Sequence, residues 1–245
     1  MGAHVVTYAN KSSGMFESLV NNEFNVPVKV LGMGTEWKGF SDKVNGYRDY
    51  VQTLPSGDIV VIVDGFDTKI NGTLEVAVSR FKKLNKPIVV SINPGGIPEA
   101  VSKKIFGTCV NGYVGNSGLM MGRVEAMYAL LEDMAAETCE DDQRGLNKVC
   151  KKHSIYVDAD NLIFENTNPT DRNIKTDAVF IGFPGLFTFS RWVRAIREYT
   201  QFFLPEILTI SLIIALCFKR IRWPVTIFTA LLSIFADKSC LNISL

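Results

Sequence analysis

A chain of 245 residues with 47% apolar side chains is long enough to bury a sizeable core, as one large domain or two small ones. Its 26 basic and 25 acidic residues leave a net charge of +1, which excludes a global field that would recruit nucleic acid or acidic lipid. The five cysteines, Cys109, Cys139, Cys150, Cys217 and Cys240, include no C-x-x-C pair, so neither a zinc site nor a disulfide framework is expected and they read as buried small hydrophobes.

The opening M-G-A-H-V-V-T-Y-A lacks the basic segment and long apolar core of a secretory signal, and Val6 stands where a myristoylation motif needs Ser or Thr. Residues 4–9 instead read as a short apolar strand, which puts His4 in the interior. A polar loop at 10–14 then opens a helix over about 15–21. Free N–H groups at such a helix start attract phosphate or polar base edges, although an ordinary strand-to-helix connection has the same look. A second strand at 27–31 leads into the glycine-flanked loop 32–39. There Trp37 either caps the core or offers a flat face to a base or sugar. Residues 43–54 form an amphipathic helix with Val44, Tyr47, Tyr50 and Val51 on one side.

The next stretch, D-I-V-V-I-V-D-G-F-D-T-K-I-N from Asp58 to Asn71, organises the rest. Five consecutive β-branched residues cannot present a polar face to water, so 59–63 reads as a strand buried on both sides. It stops at two carboxylates, Asp64 and Asp67, at the end where open α/β sheets bind ligands. Two acids there need a counter-charge, and manganese or magnesium bridging a diphosphate suits so few protein ligands. Asp-Gly is also common turn chemistry. A helix over 74–84, a strand at 87–92 and a loop at 93–98 follow. The resulting order β, α, β, α, β, α, β predicts an α/β fold with a mainly parallel sheet and helices on both faces.

The second half is less regular. Small residues around Asn116 and Ser117 in 112–122 suit a wall that approaches a ligand closely, or a glycine-rich turn before a helix. Helices are expected over 123–136, with Val124, Met127, Tyr128 and Leu131 on one face, and from Glu140-Asp141-Asp142-Gln143 to about His153. Acids in a first turn are favoured by the helix dipole and need no catalytic explanation by themselves. Residues 156–164 read as an edge hairpin or a short strand pair. After Arg197 the composition changes: 202–218 is apolar apart from Glu206, a basic break at 219–222 intervenes, and 223–236 is uncharged. Neither run reaches the length of an uninterrupted single span, so a tilted span, a two-segment hairpin, an interfacial anchor and a buried helix pair all stay open. Basic residues on either side, Arg191, Arg194 and Arg197 against Lys219, Arg220 and Arg222, leave the orientation undetermined. A glycan on the sequon at Asn10 would block the loop proposed for the nucleotide, which favours a cytosolic face, whereas the sequons at Asn71 and Asn242 read as chance matches.

Several stretches, taken together and in order, resemble the glycosyltransferase domain of the procollagen lysyl hydroxylases and their viral relatives, which has a GT-A fold. They are V-V-T-Y-A at 5–9, L-G-M-G-T-E-W-K-G at 31–39, V-D-G-F-D at 63–67, N-S-G at 116–118, D-D-Q at 141–143 and I-F-E-N at 163–166. The resemblance implies a mixed, mainly parallel sheet over 1–198, and the change of composition after it sets 199–245 apart as a hydrophobic tail expected to anchor the chain at a membrane. It also implies transfer of a hexose from a UDP-sugar to a glycoprotein or glycan hydroxyl. By the same resemblance Asp64 and Asp67 would hold Mn2+ or Mg2+, and Thr7, Trp37, Arg48 and Phe66 would contact the nucleotide. Asn116 would line the sugar pocket, while Asp141 and Asp142 would face the reacting sugar. One departure stands out: the family places a histidine, as third metal ligand, where this chain reads F-I-G-F-P-G at 180–185. That gap motivates an alternative of another class, a catalytically silent nucleotide-sugar-binding or structural membrane protein. A phosphohydrolase on a Rossmann-like sheet would need an acid directly after the first strand, and Tyr8-Ala9-Asn10 offers none.

Overall fold

A computed structural model describes residues 2–94, 98–137, 141–167, 174–184, 189–218 and 220–236, without the side chains of 189–192, 194 and 195. The chain forms two compact units, Met1–Leu186 and Phe187–Leu245.

In the first unit the buried run is a strand, β3 (Ile59–Asp64), following β1 (Ala3–Tyr8) and β2 (Val28–Leu31). After it come β4 (Thr68–Ile70), β5 (Ile88–Ile92), β6 (Gly115–Arg123), β7 (Ile155–Asp158), β8 (Phe164–Asn166) and β9 (Phe180–Gly182). The larger sheet has the order β2-β1-β3-β6-β5-β7, and β4-β9-β8 make a smaller one. Within the larger sheet β1 lies parallel to β2 and β3, β5 lies parallel to β7, and β6 runs against both of its neighbours. The mixed, mainly parallel α/β sheet expected from the sequence is therefore present.

Side chains alternate across β3 and sort the core into two layers. Val60 and Ile62 pack with Val6, Val90 and Met120 against α2 (Phe40–Gln52), α5 (Val124–Ala135) and α6 (Asp142–Val149). On the opposite face Ile59, Val61 and Val63 pack with Val5, Val89 and Met121 against α1 (Phe16–Val20), α3 (Leu74–Leu84) and the small sheet. All five residues from Ile59 to Val63 are at most 1% exposed, which is why no polar position interrupts the run.

Several expectations are corrected. The glycine-rich stretch is no turn. Its Gly115–Arg123 part is the antiparallel strand β6, hydrogen-bonded between β3 and β5 and buried from Gly115 to Gly122. Residues 156–164 are not a hairpin: β7 is an edge of the large sheet, while β8 pairs with β9. A helix between β5 and β6, α4 (Glu99–Phe106), was not anticipated. His4 is half-exposed rather than interior, because its ring meets the Asp58 carboxylate at 3.0 Å. Cys109 and Cys150, far apart in sequence and both buried, are joined in a disulfide with their Cα atoms 5.6 Å apart. Cys217 is exposed, contrary to the buried reading, and Cys139 and Cys240 lie outside the described residues. Gly95, Gly96, Ile97, Glu140, Gly185, Lys219 and the Asn242 sequon lie outside them as well, as do the side chains of Arg191 and Arg194. The amide of Asn71 donates to the carbonyls of Thr176 and Ala178, so that sequon is engaged inside the fold.

The second unit contains α7 (Phe189–Thr200), α8 (Leu204–Cys217) and α9 (Arg222–Phe235). Helix continues from Ile196 to Cys217, 22 residues, and among the described residues this is the one helix long and apolar enough to cross a membrane. Only 6% of its most apolar window is buried. Ser211 Oγ and Thr229 Oγ1, 2.7 Å apart, link α8 to α9.

Candidate functional site

The carboxyl end of β3 delivers Asp64 to the edge where β1 and β5 also end and where β6 begins. Register places Leu119 opposite Val63, and Asn116 opposite Ser91. The turn that carries Asp67 is pinned from two sides. The N–H of Met15 donates to Phe66 O at 2.9 Å, and that of Phe183 donates to Asp67 O at 2.7 Å. Gly65 is buried beneath it, and a Cβ there would meet Thr7 Oγ1 and Ala9 Cβ at 3.0 Å. Thr7 is fully buried, and its hydroxyl has no hydrogen-bond partner among the described residues.

Lys43 is the residue that joins the acidic motifs. It lies in the first turns of α2, one turn before Tyr47, so both project from the helix face packed on the sheet. Tyr47 fixes that face: its hydroxyl accepts the N–H of Tyr8 at 3.0 Å and donates to Val63 O at 3.3 Å. The Lys43 ammonium then reaches Asp64 Oδ1 on one side and Asp142 Oδ2, at 2.8 Å, on the other. The side chains of Lys43 and Asp142 are only 8% and 9% exposed, that of Asp64 32%. Burial by itself would drive Lys43 towards its neutral form. Asp142 and Asp64 outweigh it and hold the ammonium well above the usual lysine range. A raised value means that the charge contributes fully below the ordinary lysine range and is lost only as pH climbs past the folded value. The bridge therefore persists in neutral and mildly alkaline solution.

The ring closes through amides. Asp142 Oδ1 accepts the N–H of Gln143 at 3.0 Å, Gln143 Oε1 accepts from Asn116 Nδ2 at 3.1 Å, and Asn116 Oδ1 accepts the N–H of Gly118 at 2.9 Å. The Gln143 amide in turn donates to Asn93 Oδ1 at 2.8 Å, which fixes its orientation. At Gly118 a Cβ would sit 2.4 Å from Asp64 Oδ2 and 2.9 Å from Asn116 Oδ1. Only glycine leaves space for the carboxylate there.

Asp141 has a different task from Asp142. Its carboxylate caps α6 by accepting the N–H of Arg144 at 2.8 Å. Trp37 is 38% exposed and meets Tyr8 and Phe40 edge-on, with ring centroids 6.0 and 5.5 Å away. Tyr8 and Trp37 thus form an open aromatic wall beside the end of β1. Arg48 is not brought to the cluster: its guanidinium pairs with the adjacent Asp49 carboxylate at 2.8 Å. The structure therefore gathers Asp64, Asn116 and Asp142, sets Thr7, Phe66 and Asp67 around the same strand end, and leaves Arg48 aside. Lys43, Gln143 and Gly118 were given no role from the sequence. Lys43 lies one turn before Tyr47 on a stripe of apolar residues, and a lone lysine on such a stripe is the signal that could have found it.

Comparison with known proteins decides the family, since the profile of the PLOD GT domain matches residues 2–179. The chain belongs to the PLOD GT domain family. It is a glycosyltransferase-like domain, with the mixed α/β sheet expected of the GT-A class. Human procollagen-lysine,2-oxoglutarate 5-dioxygenase 2 is 25% identical to it over 186 residues, 67% of this chain and 25% of the human protein. The multifunctional procollagen lysine hydroxylase and glycosyltransferase of Caenorhabditis elegans is 24% identical over 190 residues, again 67% and 25%. The chain thus spans about a quarter of the length of these relatives. Among solved structures, a galactosyltransferase, LgtC, in complex with donor and acceptor sugar analogues aligns with a TM-score of 0.46 and 11% identity. The alignment covers 75% of this chain and 87% of that one, a likeness too loose to carry argument.

Proposed function

We propose that this GT domain transfers a hexose from a UDP-sugar to a hydroxyl on a glycoprotein or glycan, with manganese or magnesium held by Asp64 and Asp67. The observation that carries this reading is the Lys43 bridge, which brings the acid ending β3 together with the acid opening α6. Donor chemistry fits the ion: the proposed ligands are carboxylate oxygens, which hard divalent cations prefer, and Gly118 keeps space beside Asp64 Oδ2. When bound, the ion would neutralise charge building on the departing diphosphate.

The chain's own residues would do the rest. Lys43 is a fixed positive charge beside the same leaving group. Asp142 can balance the cationic character of the anomeric carbon or accept the acceptor's proton. Asp141, committed to its cap, is the weaker candidate for that role. Asn116 and Gln143 hold each other's amides ready for sugar hydroxyls, and Phe66 and Trp37, with the buried Thr7 hydroxyl, which has no partner among the described residues, would receive the nucleotide. We further infer that the second unit anchors the domain at a membrane. The apolar 22-residue helix supports this, as does the spread of Leu208, Ile210, Leu212, Ile213 and Leu216, all more than half exposed, around most of its circumference.

Incubating the full chain with a panel of UDP-sugars, with and without Mn2+, tests the enzyme reading. UDP release that needs the metal and disappears in Asp67→Ala is expected. Gly118→Ala should lower the same release at least about tenfold by displacing the Asp64 carboxylate. Its melting point should fall by only several degrees, since overpacking costs roughly 1–3 kcal/mol. The alternative of a silent nucleotide-sugar-binding protein is favoured by one observation: among the described residues no three His, Cys, Asp or Glu side chains cluster to hold a metal. Donor binding without turnover would select it.

A further inference from the structure

Asp64 already has a cation. Its Oδ1 accepts from the Lys43 ammonium, and its Oδ2 lies against β6 so closely that a Cβ on Gly118 would fall 2.4 Å away. The ammonium is not free to swing clear: the side chain is 8% exposed, Asp142 Oδ2 holds it at 2.8 Å, and Tyr47 fastens the same helix face to β1 and β3. A divalent ion approaching Asp64 must share one carboxylate with a positive charge fixed in place. Like charges this close repel strongly where one of them, the Lys43 ammonium, is buried. A diphosphate changes the balance, because it brings negative charge and oxygen ligands to both cations at once.

We propose that Lys43 excludes the divalent ion from Asp64 until a nucleoside diphosphate is present, so that metal and donor enter together and not metal first. This rests on the donor-site reading above and adds the binding order. Lys43 is a positioning residue in this role, acting on the metal through Asp64.

The test is titration of Mn2+ into the full chain, following loss of the free-ion electron paramagnetic resonance signal beyond that caused by UDP alone, with and without UDP, for the wild-type protein, Lys43→Gln and Lys43→Met. The wild type is expected to bind Mn2+ weakly alone and at least about tenfold more tightly with UDP. Either variant is expected to bind Mn2+ alone at least about tenfold more tightly than the wild type, with a smaller gain from UDP. Circular dichroism confirms that each variant is folded. A folded variant that binds Mn2+ alone no better than the wild type overturns the proposal. So does a wild type that binds Mn2+ equally well with and without UDP, a result that needs no variant. Failure of the donor-site reading looks different: no Mn2+ bound by any of the proteins even with UDP, which removes the site and this inference with it.

Discussion

Asp142→Asn is expected to lower UDP release from a UDP-sugar by about 10²–10³-fold, the usual loss on removing one electrostatic contact to a developing charge. The substitution keeps the shape of the side chain, its acceptor for the Gln143 N–H and the start of α6, so the fold has little reason to change. What it removes is one of the two charges on a buried ammonium, leaving Lys43 with Asp64 alone. Breaking a buried pair outright costs about 3–5 kcal/mol. With the amide oxygen kept on the Gln143 N–H, Lys43 loses this acceptor and keeps Asp64, so roughly 1–3 kcal/mol is expected here, visible as a lower midpoint in urea. Asp141→Asn is the internal control. That side chain caps α6, asparagine is an equally good cap, and release should stay within about threefold of wild type. Equal losses in the two variants would show that the acids are not divided as their hydrogen bonds imply.

Removing the Cys109–Cys150 disulfide is expected to have the largest effect on stability. The bridge closes a loop between residues 41 apart, for which the chain-entropy relation gives roughly 4 kcal/mol. It ties the segment after α4 to the end of α6, the helix whose first residue is Asp142, so a loosened α6 should also weaken donor binding. Cys150→Ala, or thiol reductant acting on the wild type, should move the denaturation midpoint down by a matching amount. An unchanged midpoint under reductant would mean that the pair does not support the fold.

The parts legible in the sequence were those set by local pattern. Five β-branched residues could only be a buried strand, and the strand and helix alternation through Ile92 gave the parallel part of the sheet. β6 was not legible, because glycine, serine and asparagine have weak strand preference, and only closure by β3 and β5 makes them a strand. Residues 156–164 misled for a related reason: the tertiary structure assigns two adjacent strands to different sheets. Asp64, Asn116 and Asp142 could be placed by motif resemblance. The ring that unites them could not, since it depends on Lys43, whose two partners lie 21 and 99 positions away. Nor does any spacing separate Asp141 from Asp142. Their roles diverge through one helical cap.

On the proposed reading, Asp64 and Asp142 act as one donor site through Lys43. A double-mutant cycle on UDP-sugar affinity, measured by calorimetry with Mn2+ for Asp64→Asn, Asp142→Asn and the pair, addresses it most directly. Members of one ion-pair network are coupled by about 0.5–3 kcal/mol, so the double variant should bind measurably differently from the sum of the single losses. Losses that add to within about 0.3 kcal/mol, as for independent positions, would contradict it.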